Sequence, residues 1–178
     1  MSKHVLVIST SLRSRSNSHL LAQQFAQGAQ EAGHQVELVS LQGKQLHFCN
    51  GCMACLEAHR CVIEDDANAI VEKMGAADVI CFATPVYYYE MVGQMKTLLD
   101  RANSLYDSDY AFRDIYLLTA SAEEEDSASD GPIHGLEGWI ACFEKARLAG
   151  VVRGGGANDP GEMPEGKLKA AYELGKRI

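Results

Sequence analysis

His4-Val5-Leu6-Val7-Ile8-Ser9-Thr10-Ser11-Leu12-Arg13-Ser14-Arg15-Ser16-Asn17-Ser18 is the stretch on which the reading of this chain turns. Four consecutive apolar residues, Val5 to Ile8, run into a cluster of hydroxyls and two guanidinium groups, and a helical pattern follows from about Ser18 to Ala32. An unbroken apolar run suits a strand buried on both faces of a parallel sheet. Hydroxyls between such a strand and a helix suit an anion, because the first helical turn presents unpaired N–H groups and the positive end of the helix dipole. Leu20, Leu21, Phe25 and Ala29 share one helical stripe, and Gly33 is a natural stop.

The alternation continues outward from there. Gln35 to Leu41 predicts a second strand nearer the sheet edge, and Asp65-Asp66 opens a helix with Ile70, Val71 and Met74 facing inward. Val79 to Ala83 is a third strand ending at Thr84-Pro85; after the loop Val86 to Glu90 comes a helix with Met91, Met95, Leu98 and Leu99 on one side. Ile115 to Thr119 and Leu148 to Val152 are further strands, separated by a helix over Leu136 to Ala146 and followed by a terminal helix from Glu165 to Arg177. Five apolar strands alternating with helices predict an α/β fold, a doubly wound parallel sheet with helices on both faces. One domain over residues 1–178 is expected, since a chain of this length buries roughly 70% of its unfolded surface. Ligands of such sheets sit beyond the carboxyl ends of the strands, where the loops Ser9 to Ser18, Thr84 to Glu90 and Thr119 to Glu123 meet. The acidic stretch Glu123 to Asp130 reads as a solvated connection, and Gly154-Gly155-Gly156 as an ordinary turn.

A formal net charge of −8 argues against a nucleic-acid partner, because no basic face is available to displace counterions. No apolar run approaches the ~20 residues that span a bilayer, and no signal pattern opens the chain, so the expectation is cytoplasmic with no membrane partner. Four of the six cysteines, Cys49, Cys52, Cys55 and Cys61, are clustered, while Cys81 and Cys142 lie alone in apolar segments and are expected to be packed. The spacing Cys-x2-Cys-x2-Cys-x5-Cys leaves three readings open. It can wrap a [4Fe-4S] cluster, take zinc, whose usual pattern is two separated pairs, or stand as reduced thiols without a metal.

Ser9-Thr10-Ser11-Leu12-Arg13 with Ser16-Asn17-Ser18 resembles the phosphate loop of flavodoxin-like NAD(P)H-dependent FMN reductases. Thr84-Pro85-Val86-Tyr87-Tyr88-Tyr89, followed by Gly93-Gln94-Met95-Lys96, is similar to that family's second flavin loop, and Cys49 to Cys61 to the cysteine motif of its iron-sulfur flavoprotein branch. The resemblance implies a flavodoxin-like sheet of order 2-1-3-4-5. It also implies FMN, with Ser9, Ser11, Arg13, Ser16, Asn17 and Ser18 about the phosphate. Thr84, Pro85, Val86, Tyr87 and Tyr88 would lie along the ring, and Thr119, Ala120 and Ser121 at its pyrimidine side. Ser16 to Ser18 fit a helix cap equally well. No Gly-x-Gly-x-x-Gly follows a strand, so NAD(P)H is expected as a cosubstrate rather than a tightly held group. The implied activity takes hydride from NAD(P)H and passes electrons to a quinone, a nitro or azo compound, or another small acceptor. The alternatives are an iron-sulfur flavoprotein and a flavodoxin-type carrier serving a redox partner protein. A homodimer or homotetramer belongs to the same resemblance, and no side chain stands out as a catalytic acid or base.

Overall fold

The computed structural model describes residues 1–178. Strand β1 (His4–Ser9) leads through the hydroxyl loop into α1 (Asn17–Glu31), and β2 (Gln35–Ser40) follows. A long arm containing the short helix α2 (Cys55–Ala58) precedes α3 (Asp66–Ala76). Then come β3 (Val79–Tyr87), β4 (Glu90–Met91), α4 (Gly93–Arg101), β5 (Asp114–Ala120), α5 (Asp130–Ile140), β6 (Arg147–Gly154) and α6 (Glu165–Lys176). Five parallel strands lie in the order β2-β1-β3-β5-β6, the doubly wound order expected, and β4 is an antiparallel addition to β3.

Alternation along the strands builds two cores, one on each face. Leu6, Ile8, Ile80, Phe82, Ile115 and Leu117 point toward α3, α4 and α5, whereas Val5, Val7, Val79, Cys81, Tyr116 and Leu118 point toward α1 and α6. Cys81 is packed as expected, and burial pushes its thiol well up from the ordinary range. Cys142 is not packed: it is exposed just beyond α5.

Met91, expected on the helix after the Val86 to Glu90 loop, lies in β4, and β3 and α5 also depart from their expected bounds. β3 runs through Thr84-Pro85 because Thr84 and Pro85 remain paired with Thr119 and Ala120, while the β1 pairing stops at Ala83. Proline is tolerated there because β3 has become an edge strand. The helix expected at Leu136 to Ala146 lies six residues earlier. Pro132 falls in its first turn, where no N–H is needed, and Gly131 is required by packing, since a Cβ there would lie 2.0 Å from the Tyr89 carbonyl oxygen. The β3–β4 hairpin that it supports turns through Tyr88 and Tyr89, both in the left-handed region at φ 51 and 62.

α1 and α6 approach so closely that a Cβ on Gly28 would sit 2.1 Å from the Tyr172 carbonyl oxygen. Overpacking of this kind costs about 1–3 kcal/mol. Gly28→Ala should therefore lower the unfolding free energy by that amount, seen as a lower urea midpoint with the slope unchanged, whereas Gly166→Ala, which meets open space, should raise stability by up to about 1 kcal/mol.

Candidate functional site

The chain leaves β1 between two neighbours: the Leu41 N–H bonds the Ser9 carbonyl at 2.9 Å on one side, and the Thr10 N–H and hydroxyl both bond the Ala83 carbonyl at 2.9 Å on the other. Gln94 Nε2 donates to the Thr10 carbonyl at 2.9 Å, which ties the first turn of α4 to the same loop. A cavity of about 260 Å³ opens directly beyond. Ser11, Arg13, Ser16, Asn17 and Ser18 line one end of it; Pro85, Val86, Tyr87 and Ala120 line the other. Arg13 also lies over the Tyr87 ring, 6.0 Å from its centroid, joining the two loops.

The backbone of this loop is left open for an anion. Within the chain, the N–H groups of Ser14, Arg15, Ser16, Asn17 and Ser18 have no hydrogen-bond acceptor. Ser16 is the N-cap of α1, its hydroxyl accepting from the His19 N–H at 3.2 Å and lying 3.0 Å from Ser18 Oγ. Ser9 Oγ is buried beneath the loop without any partner. Orphaned donors at a helix start beside hydroxyls and guanidinium groups have the chemistry to receive an anion.

Several expected contacts are spent elsewhere. Asn17 donates to the Ala157 and Asp159 carbonyls at 3.3 and 2.9 Å and accepts from the Gly161 N–H at 2.8 Å, so its side chain fastens the loop after β6. Thr84 Oγ1 is buried, donating to the Pro85 carbonyl and accepting from the Val92 N–H. Thr119 Oγ1 points inward to Ser129 Oγ and the Val152 carbonyl. Tyr88 is fully exposed and, with Ser121, borders a neighbouring cavity that shares Val86 and Ala122 with the first. Arg15, Ala122, Ala157 and Asn158 line the first cavity without having been singled out from the sequence. The last two directly follow Gly154-Gly155-Gly156, the stretch read as an ordinary turn. It forms a wall because the Gly156 and Ala157 N–H groups bond the Glu123 and Ser121 carbonyls.

A second, larger cavity of about 400 Å³ lies between the cysteine arm, α4 and the end of α5, and shares no lining residue with the first. Cys49, Cys52, Cys55 and Cys61 all line it. Asn103 Nδ2 donates to Cys55 Sγ at 3.3 Å and Arg101 Nε to Cys61 Sγ at 3.1 Å. No three thiols meet at the ~2.3 Å radius of a single zinc ion. The arm is anchored by Arg101, whose side chain is 0% exposed. Its remaining N–H groups reach Asp65 Oδ2 at 2.6 Å, the His47 and Ile63 carbonyls at 2.9 and 2.7 Å, and Asn68 Oδ1 at 3.4 Å. Burial alone would raise the Asp65 carboxyl. The Arg101 guanidinium and the His47 and Ala67 N–H groups outweigh it and hold the carboxyl at about 2.

The model of a family described as NADPH-dependent FMN reductase matches residues 4–136. An iron-sulfur flavoprotein of Methanocaldococcus jannaschii is 39% identical over 101 residues, 57% of this chain and 52% of that protein. One from Archaeoglobus fulgidus is 28% identical over 155 residues, 84% of this chain and 66% of that protein. The chain thus spans about half to two-thirds of the length of these curated relatives. The solved NAD(P)H:quinone oxidoreductase of Methanothermobacter marburgensis superposes with a TM-score of 0.78 at 19% identity, covering 99% of this chain and 96% of that one, a likeness of fold.

Removing one partner of a buried ion pair costs about 3–5 kcal/mol, so Arg101→Gln should lower urea stability by that order at pH 7. Because the folded Asp65 pKa lies below its ordinary 3.8, its stabilisation is complete above that pH and is lost as pH falls toward about 2. Acid titration followed by circular dichroism should show this loss in the natural chain and a smaller one in Arg101→Gln, where the His47 and Ala67 N–H groups still favour the carboxylate.

Proposed function

The chain belongs to the NADPH-dependent FMN reductase family, and from that premise we propose that it binds FMN in the cavity beyond β1, β3 and β5. There it oxidises NAD(P)H and passes the electrons to a small acceptor such as a quinone or a nitro or azo compound. The observation that carries this reading is the run of free N–H groups from Ser14 to Ser18, beside the Ser11 hydroxyl and the Arg13 and Arg15 guanidinium groups. That donor set suits a phosphate dianion. Next to it, Pro85 to Tyr87 on one side and Ala120 with Ala122 on the other suit the flat edge of a ring system. When bound, the flavin supplies the hydride-accepting and electron-passing chemistry.

The chain's own residues bind and orient. Arg13, held against Tyr87, adds a charge-assisted donor at the phosphate end, and Asn17 keeps the Ala157–Asn158 wall in place from behind. Leu12, Tyr88 and Tyr89 are exposed at the rim, which supports a homodimer or homotetramer joined near this cavity. A cytoplasmic setting is part of the proposal and suits six free thiols. No helix is long and apolar enough to cross a membrane.

A [4Fe-4S] cluster in the arm is a second reading, favoured by four cysteines on one cavity wall and by N–H donors aimed at two of their sulfurs. Cys49, Cys52, Cys55 and Cys61 would hold it and it would supply one-electron chemistry. Anaerobic protein with a broad visible absorption and about four irons per chain supports this, and colourless, iron-free protein overturns it.

Pure protein mixed with FMN should bind it and oxidise NAD(P)H; failure of both overturns the principal reading. Arg13→Ala should weaken FMN about tenfold or more, the loss of one charge-assisted bond of ~1.5–3 kcal/mol, and leave the phosphate-free riboflavin unchanged. Asn17→Ala, which loosens a wall rather than removing a phosphate donor, should weaken both flavins alike in fluorescence-quenching titrations.

A further inference from the structure

Five of the six cysteines line the larger cavity, and the fifth, Cys142, lies outside the Cys49 to Cys61 run. It stands just past the end of α5, exposed, between Trp139 and Phe143, which line the same cavity. This wall is firm. The Trp139 and Phe143 rings lie 4.5 Å apart, and both pack on Phe112, at 5.9 and 5.2 Å.

The cysteine arm lines the same cavity and is held by side chains. No backbone–backbone hydrogen bond connects residues 46–64 to the rest of the chain; the arm's attachments are side-chain bonds with Arg101, Asn103, Asn68 and Asp65 and the ion pair of Arg60 with Glu72. Within it, Met53 and His59 occupy left-handed backbone, at φ 59 and 51. Cys55 and Cys61 accept bonds from α4 and the residues just after it, Cys49 Sγ accepts from the Gly51 N–H of its own turn, and Cys52 Sγ has no partner. Cys142, whose Sγ donates to the Gly138 carbonyl at 3.7 Å at the end of α5, thus shares one cavity with four thiols on a segment that has no backbone ladder to the body of the fold.

We propose that Cys142 is a redox-active thiol that closes a disulfide with the cysteine arm whenever the arm thiols are free of metal. The oxidant is a peroxide: one equivalent of hydrogen peroxide takes two electrons and two protons from Cys142 and one arm thiol, an S–S bond forms, and two water molecules leave. A dithiol reductant reverses the step by exchange. The product pins the arm to α5 across the mouth of the cavity and withdraws a thiol from any metal that the arm would hold. The inference does not depend on FMN binding, because the two cavities share no residue.

Trypsin separates the thiols: Cys49, Cys52 and Cys55 fall on peptide 45–60, Cys61 on 61–73 and Cys142 on 114–145. The full chain, stripped of iron by a chelator under anaerobic conditions with its iron content measured, is treated with a few equivalents of hydrogen peroxide and mapped without reduction. The expected result is a disulfide joining 114–145 to 45–60 or 61–73, removed by dithiothreitol and absent in Cys142→Ser. Disulfides confined to the arm, or Cys142 recovered as free thiol or sulfinic acid, overturn the proposal. A companion measurement of iodoacetamide labelling should show Cys142 protected after peroxide and relabelled after dithiothreitol; labelling unchanged by peroxide overturns it as well.

Discussion

β1 is paired on both edges, and everything at the first cavity depends on that constraint. Its two neighbours are reached by crossovers on opposite faces, through α1 to β2 and through α3 to β3. At Ser9 the ladders end together, and the next residue keeps contact with β3 alone through the Thr10 bonds to Ala83. A gap at the topological switch is therefore unavoidable, and the loop that enters it must be the one leading to α1. That geometry aims the open donors of the α1 start into the gap without any dedicated strain in the loop.

The arm obeys a different rule. It has no backbone ladder to the body of the fold, so its position rests on a guanidinium that offers every N–H to an acceptor. Removing such a charge from water is tolerable only when each donor is matched. Arg101 therefore specifies where His47, Ile63, Asp65 and Cys61 must lie, and a single residue on α4 takes the place of a strand register.

Local patterns made the sheet and the first loop legible: the Val5 to Ile8 run, the hydroxyls after it and the α1 stripe all lie within one crossover. Contacts distant in sequence were not legible. Asn17 looks like a phosphate donor until its partners about 140 residues away are known. The same is true of Ala157 and Asn158, which follow the Gly154 to Gly156 turn and carry no signal of their own. Gly131 and Gly135 weaken the helical signal at the start of α5, yet both lie where β-carbons would collide with the hairpin. Arg101 reads as the polar end of a helix, and nothing nearby in sequence announces the acceptors that surround it. Cys142 lies in an apolar stretch and reads as core; the helix ending at Ile140 leaves it outside.

The tight seating of α6 on α1 bears on how the molecule is made. Leu21 and Phe25 of α1 pack on the sheet, Phe25 against Tyr116 of β5, whereas the strip of α1 at Gly28 is covered by α6, an element that follows every strand in chain order. While ribosomal synthesis proceeds, the sheet can cover Leu21 and Phe25, but the strip at Gly28 has no partner until α6 has emerged, so a groove there remains open through almost the whole of translation. Closing it demands contacts of very large sequence separation, the slow class of folding events. A nascent chain stalled before Glu165 would present this groove to chaperones or to other unfinished chains.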